Sequence, residues 1–253
     1  MKSYDNRSCL VPSKSYAFEL EFLGKRISYT YIRKNACSAF KRLFAGETHH
    51  DFSSYSTALK AMINLHLEND IRRIESSDFR VFVYRDPVER VLSVYKNKFI
   101  QRSGFRDIFD NFRMLTKKDP ELTNFRNFVF DYVSRVSVNP ELIDPHLVPQ
   151  VDHLFPIQYN AVIEMSNLKV DMAEILGLDL ADRYFGSPVN SSNGKIGQAP
   201  VEGPFGGCSS TDLHDYYVKF GFMPTKNEFL DSETISCIKE IYENDCQMIG
   251  RLK

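Results

Sequence analysis

Hydrophobic and polar residues follow a pattern that predicts two strands, each followed by a helix. Residues 27–32 (ISYTYI) and 80–84 (RVFVY) are β-branched and aromatic, which is typical of buried strands. The segments after them carry apolar residues three and four positions apart, a spacing that predicts helices. Ser38 is expected near the N-cap of the first helix, and Pro87 lies in the expected first turn of the second.

The segment between these two strands predicts how they are connected. Residues 55–77 read as a helix, and two strands joined through a helix form a crossover with parallel strands. Further helices are expected over 107–116 and 121–138, with a short strand near residue 163 and a helix at the end of the chain. We predict an α/β fold with a central parallel sheet flanked by helices, in a single domain over residues 1–253.

Composition and charge restrict the class of protein. The chain has 253 residues, 43% hydrophobic and 26% charged, as expected of a globular protein. With 32 Lys+Arg and 33 Asp+Glu the net charge is −1, which argues against a nucleic-acid partner. Five cysteines without a CxxC pair suggest neither a disulfide framework nor a zinc site. The first thirty residues lack an apolar run long enough for a signal peptide or membrane span, so we expect a cytoplasmic protein.

Positive charge is nevertheless concentrated in one short segment. Residues 25–42 contain six basic residues and no acidic one. The first strand leads through Arg33 and Lys34 into a helix N-terminus, where backbone N–H groups and the helix dipole favour a phosphate. The Walker A pattern GxxxxGK[ST] is absent, and a basic surface turn is the alternative.

A second basic position follows the second strand. Arg85 leaves that strand at its carboxyl end, and Ser93 lies two helical turns further on. Ligands of open α/β sheets collect outside the carboxyl ends of the strands, so two basic turns there predict a ligand with two separated phosphate-like groups. In the alternative interpretation, Arg85 pairs with Asp86 or Glu89 and only fixes the turn.

These segments resemble the 3'-phosphoadenosine 5'-phosphosulfate (PAPS) signatures of carbohydrate sulfotransferases of the chondroitin 4-O-sulfotransferase type and their bacterial relatives, in sulfotransferase family 2. Residues 34–41 (KNACSAFK) match P-K-x-A-C-T/S-x-x-K/R, with Arg33 at the usual proline. Residues 85–95 reproduce R-D-P-x-x-R-x-x-S-x-Y in full. Residues 144–150 (DPHLVPQ) are similar to D-x-H-W-x-P-Q, and Asn190-Ser191-Ser192 to a late N-x-S element.

The resemblance implies a P-loop NTPase-like sulfotransferase fold, with PAPS as co-substrate. Residues of the first motif would hold the 5'-phosphosulfate and Lys34 would act on the charge that develops there, while Arg85 and Ser93 would hold the 3'-phosphate. The implied nucleotide-binding residues are Arg33, Lys34, Asn35, Ala36, Cys37, Ser38, Ala39, Arg85 and Ser93. No metal is expected.

A histidine is the expected base for the acceptor hydroxyl, because its pKa lies near neutrality without perturbation. His146, in the third matched segment, is the candidate, with His153 second and a loop-bonding histidine as the alternative. His49 and His50 beside Asp51 are expected in a solvated loop. Residues 186–207, rich in Gly, Pro, Ser and Asn, predict a long loop or lid.

The predicted function is therefore transfer of the sulfuryl group from PAPS to a hydroxyl of a polysaccharide, lipopolysaccharide or glycolipid, with release of adenosine 3',5'-bisphosphate (PAP). Two alternatives remain: a P-loop-type nucleotide-dependent kinase, and a non-catalytic module that binds PAP or a sulfated glycan. The sequence does not indicate an oligomeric state.

Overall fold

A computed structural model describes residues 1–10, 15–48, 55–187 and 205–252, with the side chains of 55–57 excluded. His49, His50, Asp51, Asn190-Ser191-Ser192 and most of the predicted loop, residues 188–204, lie outside the described residues. The chain divides into two compact units. The first unit consists of Met1–Arg85, Gln150–Asn190 and Met248–Lys253, and the second of Asp86–Pro149 and Ser191–Gln247.

The first unit contains a six-stranded sheet in the order β1-β6-β5-β3-β2-β4. Its strands are β1 (Lys2–Asp5), β2 (Ala17–Phe22), β3 (Lys25–Thr30), β4 (Leu67–Glu68), β5 (Phe79–Tyr84) and β6 (Gln158–Glu164). β5 pairs in parallel with both β3 and β6, whereas β1, β2 and β4 pair antiparallel with their neighbours. The predicted α/β class with a parallel sheet centre is confirmed, and β3, β5 and β6 end at the same edge.

Helices occur in both units. In chain order they are α1 (Cys37–Glu47), α2 (Tyr55–His66), α3 (Ile71–Glu75), α4 (Pro87–Tyr95), α5 (Arg106–Thr116), α6 (Phe125–Asn127), α7 (Leu168–Leu176), α8 (Leu178–Phe185), α9 (Ser210–Phe220), α10 (Ser232–Ile241) and α11 (Glu243–Leu252). The predicted helix over 107–116 is thus confirmed. The unit boundary at residue 248 falls within α11.

Both faces of the sheet in the first unit are covered. Side chains of β5 alternate, so Val81 and Val83 point into one apolar cluster while Phe82 and Tyr84 point into another. The first cluster contains side chains of α1, α2, α7 and α8, and the second contains Ile74 of α3 and residues of α11. The central strands are therefore buried on both sides, which explains their continuous apolar character.

The predicted helix over 55–77 is interrupted. α2 ends at His66, and Leu67–Glu68 then pairs with the edge strand β2. A new helix, α3, starts after Asp70, whose side chain accepts a hydrogen bond of 2.9 Å from the backbone N–H of Arg72. These two extended residues at the sheet edge interrupt the helix that the spacing of apolar residues predicted.

The second unit is helical around an aromatic core. Tyr95, Phe99, Phe109 and Phe128 are fully or almost fully buried in one cluster, so the phenylalanine-rich region forms an ordinary helical core. The helix predicted over 121–138 begins at Phe125 and continues as a π-helical turn (Phe128–Tyr132) and a 3-10 turn (Val133–Ser137).

Candidate functional site

The loop between β3 and α1 carries most of the predicted site residues. Lys34 (φ 69°) and Ala36 (φ 58°) adopt the left-handed conformation, which is uncommon for residues with a Cβ. Ala36 is the N-cap of α1, and no side chain in the described part of the chain caps the helix there. Because the first N–H groups of a helix have no acceptor within it, the start of α1 is suited to an anion.

Ser38 lies near the N-cap of α1, as predicted. The helix begins at Cys37, one residue before it. Ser38 therefore lies in the first helical turn. Its hydroxyl and the uncapped N–H groups belong to the same short segment of the chain. Ala39 follows it and is buried against the sheet.

An aromatic pair sets the start of α1 against β3. The rings of Tyr29 on β3 and Phe40 on α1 are stacked, with centroids 3.7 Å apart and planes 4° from parallel. The Tyr29 hydroxyl donates a 3.5 Å hydrogen bond to the carbonyl of Asn35, and burial raises the pKa of Tyr29 well above its usual value. Tyr29 thus remains a neutral donor that holds the loop.

Asn35 connects this loop to β5. Its fully buried side chain donates from Nδ2 to the carbonyl of Val83 at 2.8 Å and to Oε1 of Gln150 at 2.6 Å. Asn35 Oδ1 is buried and has no hydrogen-bond partner among the described residues. Such an atom is costly unless a ligand or water satisfies it.

Gln150 connects the same loop to Arg85. The fully buried Gln150 side chain accepts at Oε1 from the backbone N–H of Arg85 at 2.9 Å and donates from Nε2 to the Arg85 carbonyl at 2.9 Å. Since Oε1 also accepts from Asn35, one oxygen joins both motifs. The loop after β3 and the residue after β5 are therefore neighbours, as the parallel strands predicted.

Sequence reasoning did not select Gln150 as a site residue. The available signal was its place at the end of the D-x-H-x-x-P-Q resemblance. Composition and periodicity could not reveal a buried amide that bonds to two separate loops, since its partners are distant in sequence.

The six basic residues of segment 25–42 do not act together. Lys25 and Arg26 lie at the opposite end of β3, about 17 Å along a six-residue strand. Arg26 donates to the carbonyl of Ser76 at 2.9 Å, and Arg42 donates to the carbonyl of Tyr184 at 2.7 Å. These contacts are structural, so the local positive charge at the loop comes from a smaller set.

That smaller set consists of Arg33, Lys34 and Lys41. Arg33 and Lys34 are half-buried in the loop, whereas Lys41 is buried in α1 with Nζ 5.7 Å from the centre of the Tyr31 ring. Burial lowers the pKa of Lys41, because it disfavours the charged amine. An anion at the start of α1 would offset the free-energy cost of burying the charged Lys41 amine.

The second motif continues into the second unit. Asp86 caps α4 by accepting a 3.1 Å hydrogen bond from the backbone N–H of Glu89, and the Glu89 carboxylate pairs with Lys226 at 2.9 Å. Ser93 lies within α4 and is 8% exposed, and Arg90 is buried at 2% exposure. Asp86 and Glu89, the alternative partners of Arg85, thus each have a contact within the second unit.

His146 is bonded to an acidic side chain in the second unit. Its ring Nδ1 lies 2.6 Å from Oδ1 of the buried Asp144. His153 is buried in a 3-10 turn of the first unit, and His66 and His214 bond to the carbonyls of Glu19 and Ile100. Among these described histidines, the contacts of His146 best suit proton transfer.

Within the described ranges, no three His, Cys, Asp or Glu side chains are grouped so that they could hold a metal ion. None of the helices there combines the length and the apolar character needed to cross a membrane.

Comparison with known proteins supports one family. A model of the sulfotransferase family, sulfotransferase family 2, matches residues 24–249. Neither curated proteins nor solved structures give a significant match. The family match covers most of the chain and includes the loop after β3, Arg85 and the segment from Asp144 to Gln150. The chain therefore belongs to the sulfotransferase family.

Proposed function

We propose that this sulfotransferase uses PAPS as its donor, acts on a carbohydrate hydroxyl, and does so with the whole chain, 1–253, working as one domain. The observation that carries the proposal is the shared acceptor Gln150 Oε1, which bonds to Asn35 of the first motif and to Arg85 of the second. Two cationic loops held side by side suit a ligand with two phosphate groups.

The loop after β3 fits the 5'-phosphosulfate. Backbone N–H groups at the uncapped start of α1, with the Ser38 hydroxyl and the Arg33 and Lys34 side chains, offer donors and positive charge. The N–H groups of Asn35 and Ala39 already donate to the carbonyls of Ile32 and Ala36. The proposed role of residues 35–39 therefore rests mainly on the N–H groups of Ala36, Cys37 and Ser38.

Arg85 and Ser93 are assigned to the 3'-phosphate. Arg85 has a fixed backbone because Gln150 bonds to both its N–H and its carbonyl. A guanidinium is well suited to a phosphate because it donates from a planar fork. Ser93 would add a hydroxyl from α4.

Bound PAPS would supply the sulfuryl group, and the chain's residues would supply charge and a base. Negative charge develops on the oxygens of the transferring and leaving groups, and Lys34 with the start of α1 would stabilise it. His146 would accept the acceptor's proton at Nε2 as the new S–O bond forms and the bond to the 5'-phosphate breaks, which releases PAP.

The carbohydrate acceptor rests on the resemblance of the three motifs to carbohydrate sulfotransferases. A polysaccharide, lipopolysaccharide or glycolipid would provide the hydroxyl. The test is incubation of the purified protein with radiolabelled PAPS and separate panels of glycans, phenols and peptides. We expect label in a glycan with equimolar release of PAP. Label only in a phenol or peptide would contradict the carbohydrate assignment, and PAP binding without transfer to any acceptor would favour a binding module.

A further inference from the structure

Asp144 makes two hydrogen bonds to His146 through one oxygen. Asp144 Oδ1 accepts from the backbone N–H of His146 at 2.8 Å and lies 2.6 Å from its ring Nδ1. The Asp144 side chain is 7% exposed and that of His146 is 18% exposed. The carboxylate is thus nearly withdrawn from solvent while the imidazole keeps some exposure.

The segment that carries this pair is held in place from two directions. The Leu147 N–H donates to the Asp144 carbonyl at 2.9 Å, and the hydroxyl of the buried Tyr242 donates to the Leu147 carbonyl at 2.7 Å. On the other side, Asn111 donates to the carbonyl of Leu142 at 2.7 Å. The segment therefore holds the Asp144 carboxylate in a fixed position beside the His146 ring.

The carboxylate determines which ring nitrogen carries the proton. An ionised carboxylate only accepts hydrogen bonds, so the short contact requires a proton on His146 Nδ1. In the neutral ring the lone pair is then on Nε2, and a base needs that lone pair to face its substrate.

We propose that Asp144 is a positioning residue that fixes His146 in the Nδ1–H tautomer and stabilises the imidazolium formed when Nε2 takes a proton from the acceptor hydroxyl. This inference rests on the proposed function, in which His146 is the base. Nδ1 keeps its proton throughout, and the proton gained at Nε2 leaves to solvent after PAP release.

Two titratable neighbours of the segment, Tyr132 and Tyr242, do not supply the same effect. Tyr132 lies close to Asp144, and burial raises the pKa of Tyr132 far above neutrality. Burial likewise raises the pKa of Tyr242, which lies near Arg90 and Asp245. Both tyrosines stay neutral where histidine titrates. We therefore assign the orientation of the His146 ring to Asp144, which contacts its Nδ1.

The direct test is nitrogen-15 NMR of the full chain with labelled histidine. We expect the Nδ1–H tautomer for His146, identified by its loss from the spectrum in His146→Ala. Asp144→Asn should change the tautomer ratio, whereas Asp215→Asn, an exposed change on α9, should not. An Nε2–H tautomer in the unaltered protein would overturn the inference, and this measurement does not require the acceptor to be known.

Kinetics provide the second test, with the acceptor identified by the glycan panel. Asp144→Asn should lower kcat by about 10²- to 10⁴-fold, as expected when a base loses its orienting carboxylate. The acidic limb of the kcat/KM profile should move to lower pH, because the imidazolium loses a stabilising charge. The Asp144→Asn, His146→Ala double variant should be no slower than His146→Ala alone.

The outcomes separate this inference from the function on which it rests. If His146→Ala abolishes turnover while Asp144→Asn retains it with an unmoved pH limb, the positioning role is wrong and the base assignment stands. If the Nδ1–H tautomer is present but no acceptor is sulfated, the proposed function is wrong while the geometry stands. If Asp144→Asn unfolds, as judged by circular dichroism, the spectrum of the unaltered protein still decides the tautomer.

Discussion

The side-chain amide of Gln150 pairs with the backbone of Arg85 through two hydrogen bonds of 2.9 Å each, one to the N–H and one to the carbonyl. A neighbouring strand would form the same two hydrogen bonds with Arg85. Gln150 therefore continues the backbone pairing of β5 by one residue beyond the end of the strand. The same Gln150 oxygen accepts from Asn35. A buried amide thus fixes the spacing of the two loops that we assign to the nucleotide.

Replacing Gln150 should weaken both the fold and the site. Gln150→Ala leaves the Arg85 N–H and carbonyl without their partner, and each buried unsatisfied group costs about 1–3 kcal/mol. We expect a loss of roughly 2–4 kcal/mol, or a Tm lower by about 5–15 °C, measured by calorimetry. The affinity for PAP should fall at least about tenfold, since the two loops lose their common anchor.

Gln158→Ala is the matched control, because this glutamine lies in the same unit with an exposed side chain. It should leave Tm and PAP affinity close to those of the unaltered protein. Equal effects of the two substitutions would show that Gln150 is not the anchor.

Removing the Lys34 ammonium should affect catalysis more than binding. Loss of one group that stabilises developing charge costs about 10²- to 10³-fold in kcat. Lys34 has a φ of 69°, so Lys34→Gly removes the ammonium at a position where glycine is unstrained, and Lys34→Ala tests the same loss with a Cβ. Both should lose turnover in a PAPS transfer assay, with a smaller change in PAP affinity.

Lys60→Ala, on an exposed position of α2, is the control for a general loss of positive charge. It should keep full turnover. If either Lys34 variant transfers sulfate at the rate of this control, Lys34 has no catalytic role.

Asn35 should not tolerate a carboxylate. Asn35→Asp replaces a donor with an oxygen facing two acceptors, the Val83 carbonyl at 2.8 Å and Gln150 Oε1 at 2.6 Å. A buried charge without a partner costs about 3–5 kcal/mol, so Tm should fall further than in Asn35→Ala. Acidification should recover part of the loss, because protonation of the new carboxyl restores a donor.

Asn167→Asp, at the exposed N-cap of α7, provides the comparison for the same chemical change at a surface. Its Tm should stay near that of the unaltered protein, since aspartate is an equally good N-cap. An Asn35→Asp variant as stable as this control would contradict the hydrogen-bond assignment.

Asp231 should stabilise α10 in a pH-dependent way. The backbone N–H of Thr234 donates to it at 2.7 Å, and this bond lowers the pKa of Asp231. Because the folded pKa is depressed, the stabilisation is complete above the unfolded value of about 3.9 and is lost as the pH falls through the folded pKa. Asp231→Ala should cost about 1 kcal/mol at pH 7 in urea unfolding and nothing at acid pH.

Glu240→Ala, exposed on the same helix, should differ from the unaltered protein by less than about 0.5 kcal/mol at pH 7. A difference for Asp231→Ala that persists unchanged at acid pH would exclude the capping carboxylate as its cause.

The sheet centre could be predicted because its side chains are buried on both faces. β3 and β5 are apolar and β-branched, and such runs stand out in the sequence. Their parallel order followed from the intervening helix. β4 could not be predicted, because two residues carry no periodicity and Leu67–Glu68 is extended only by pairing with β2.

The proposed site could be predicted only where its residues belong to one contiguous segment of the sequence. Lys34 and Arg85 could be proposed as site residues because each follows a strand and belongs to a contiguous motif. The N-cap of α1 could be placed only near Ser38, since the N-cap is the left-handed Ala36, which has no capping side chain. Gln150 was missed because its role depends on partners that are more than sixty positions away.

We assign Arg85 to the 3'-phosphate of a nucleotide whose 5' end would lie at the start of α1. Calorimetric titration with PAP and with adenosine 5'-phosphate, which lacks the 3'-phosphate, isolates that contact. Charge-assisted hydrogen bonds of about 1.5–3 kcal/mol predict roughly 10- to 150-fold tighter binding of PAP.

In Arg85→Ala that preference should largely vanish, so that PAP and adenosine 5'-phosphate bind with similar affinity. Arg72→Ala, an exposed change on α3, should retain the preference in full. An Arg85→Ala variant that still prefers PAP as strongly as the unaltered protein would contradict the assignment of the two loops to one nucleotide.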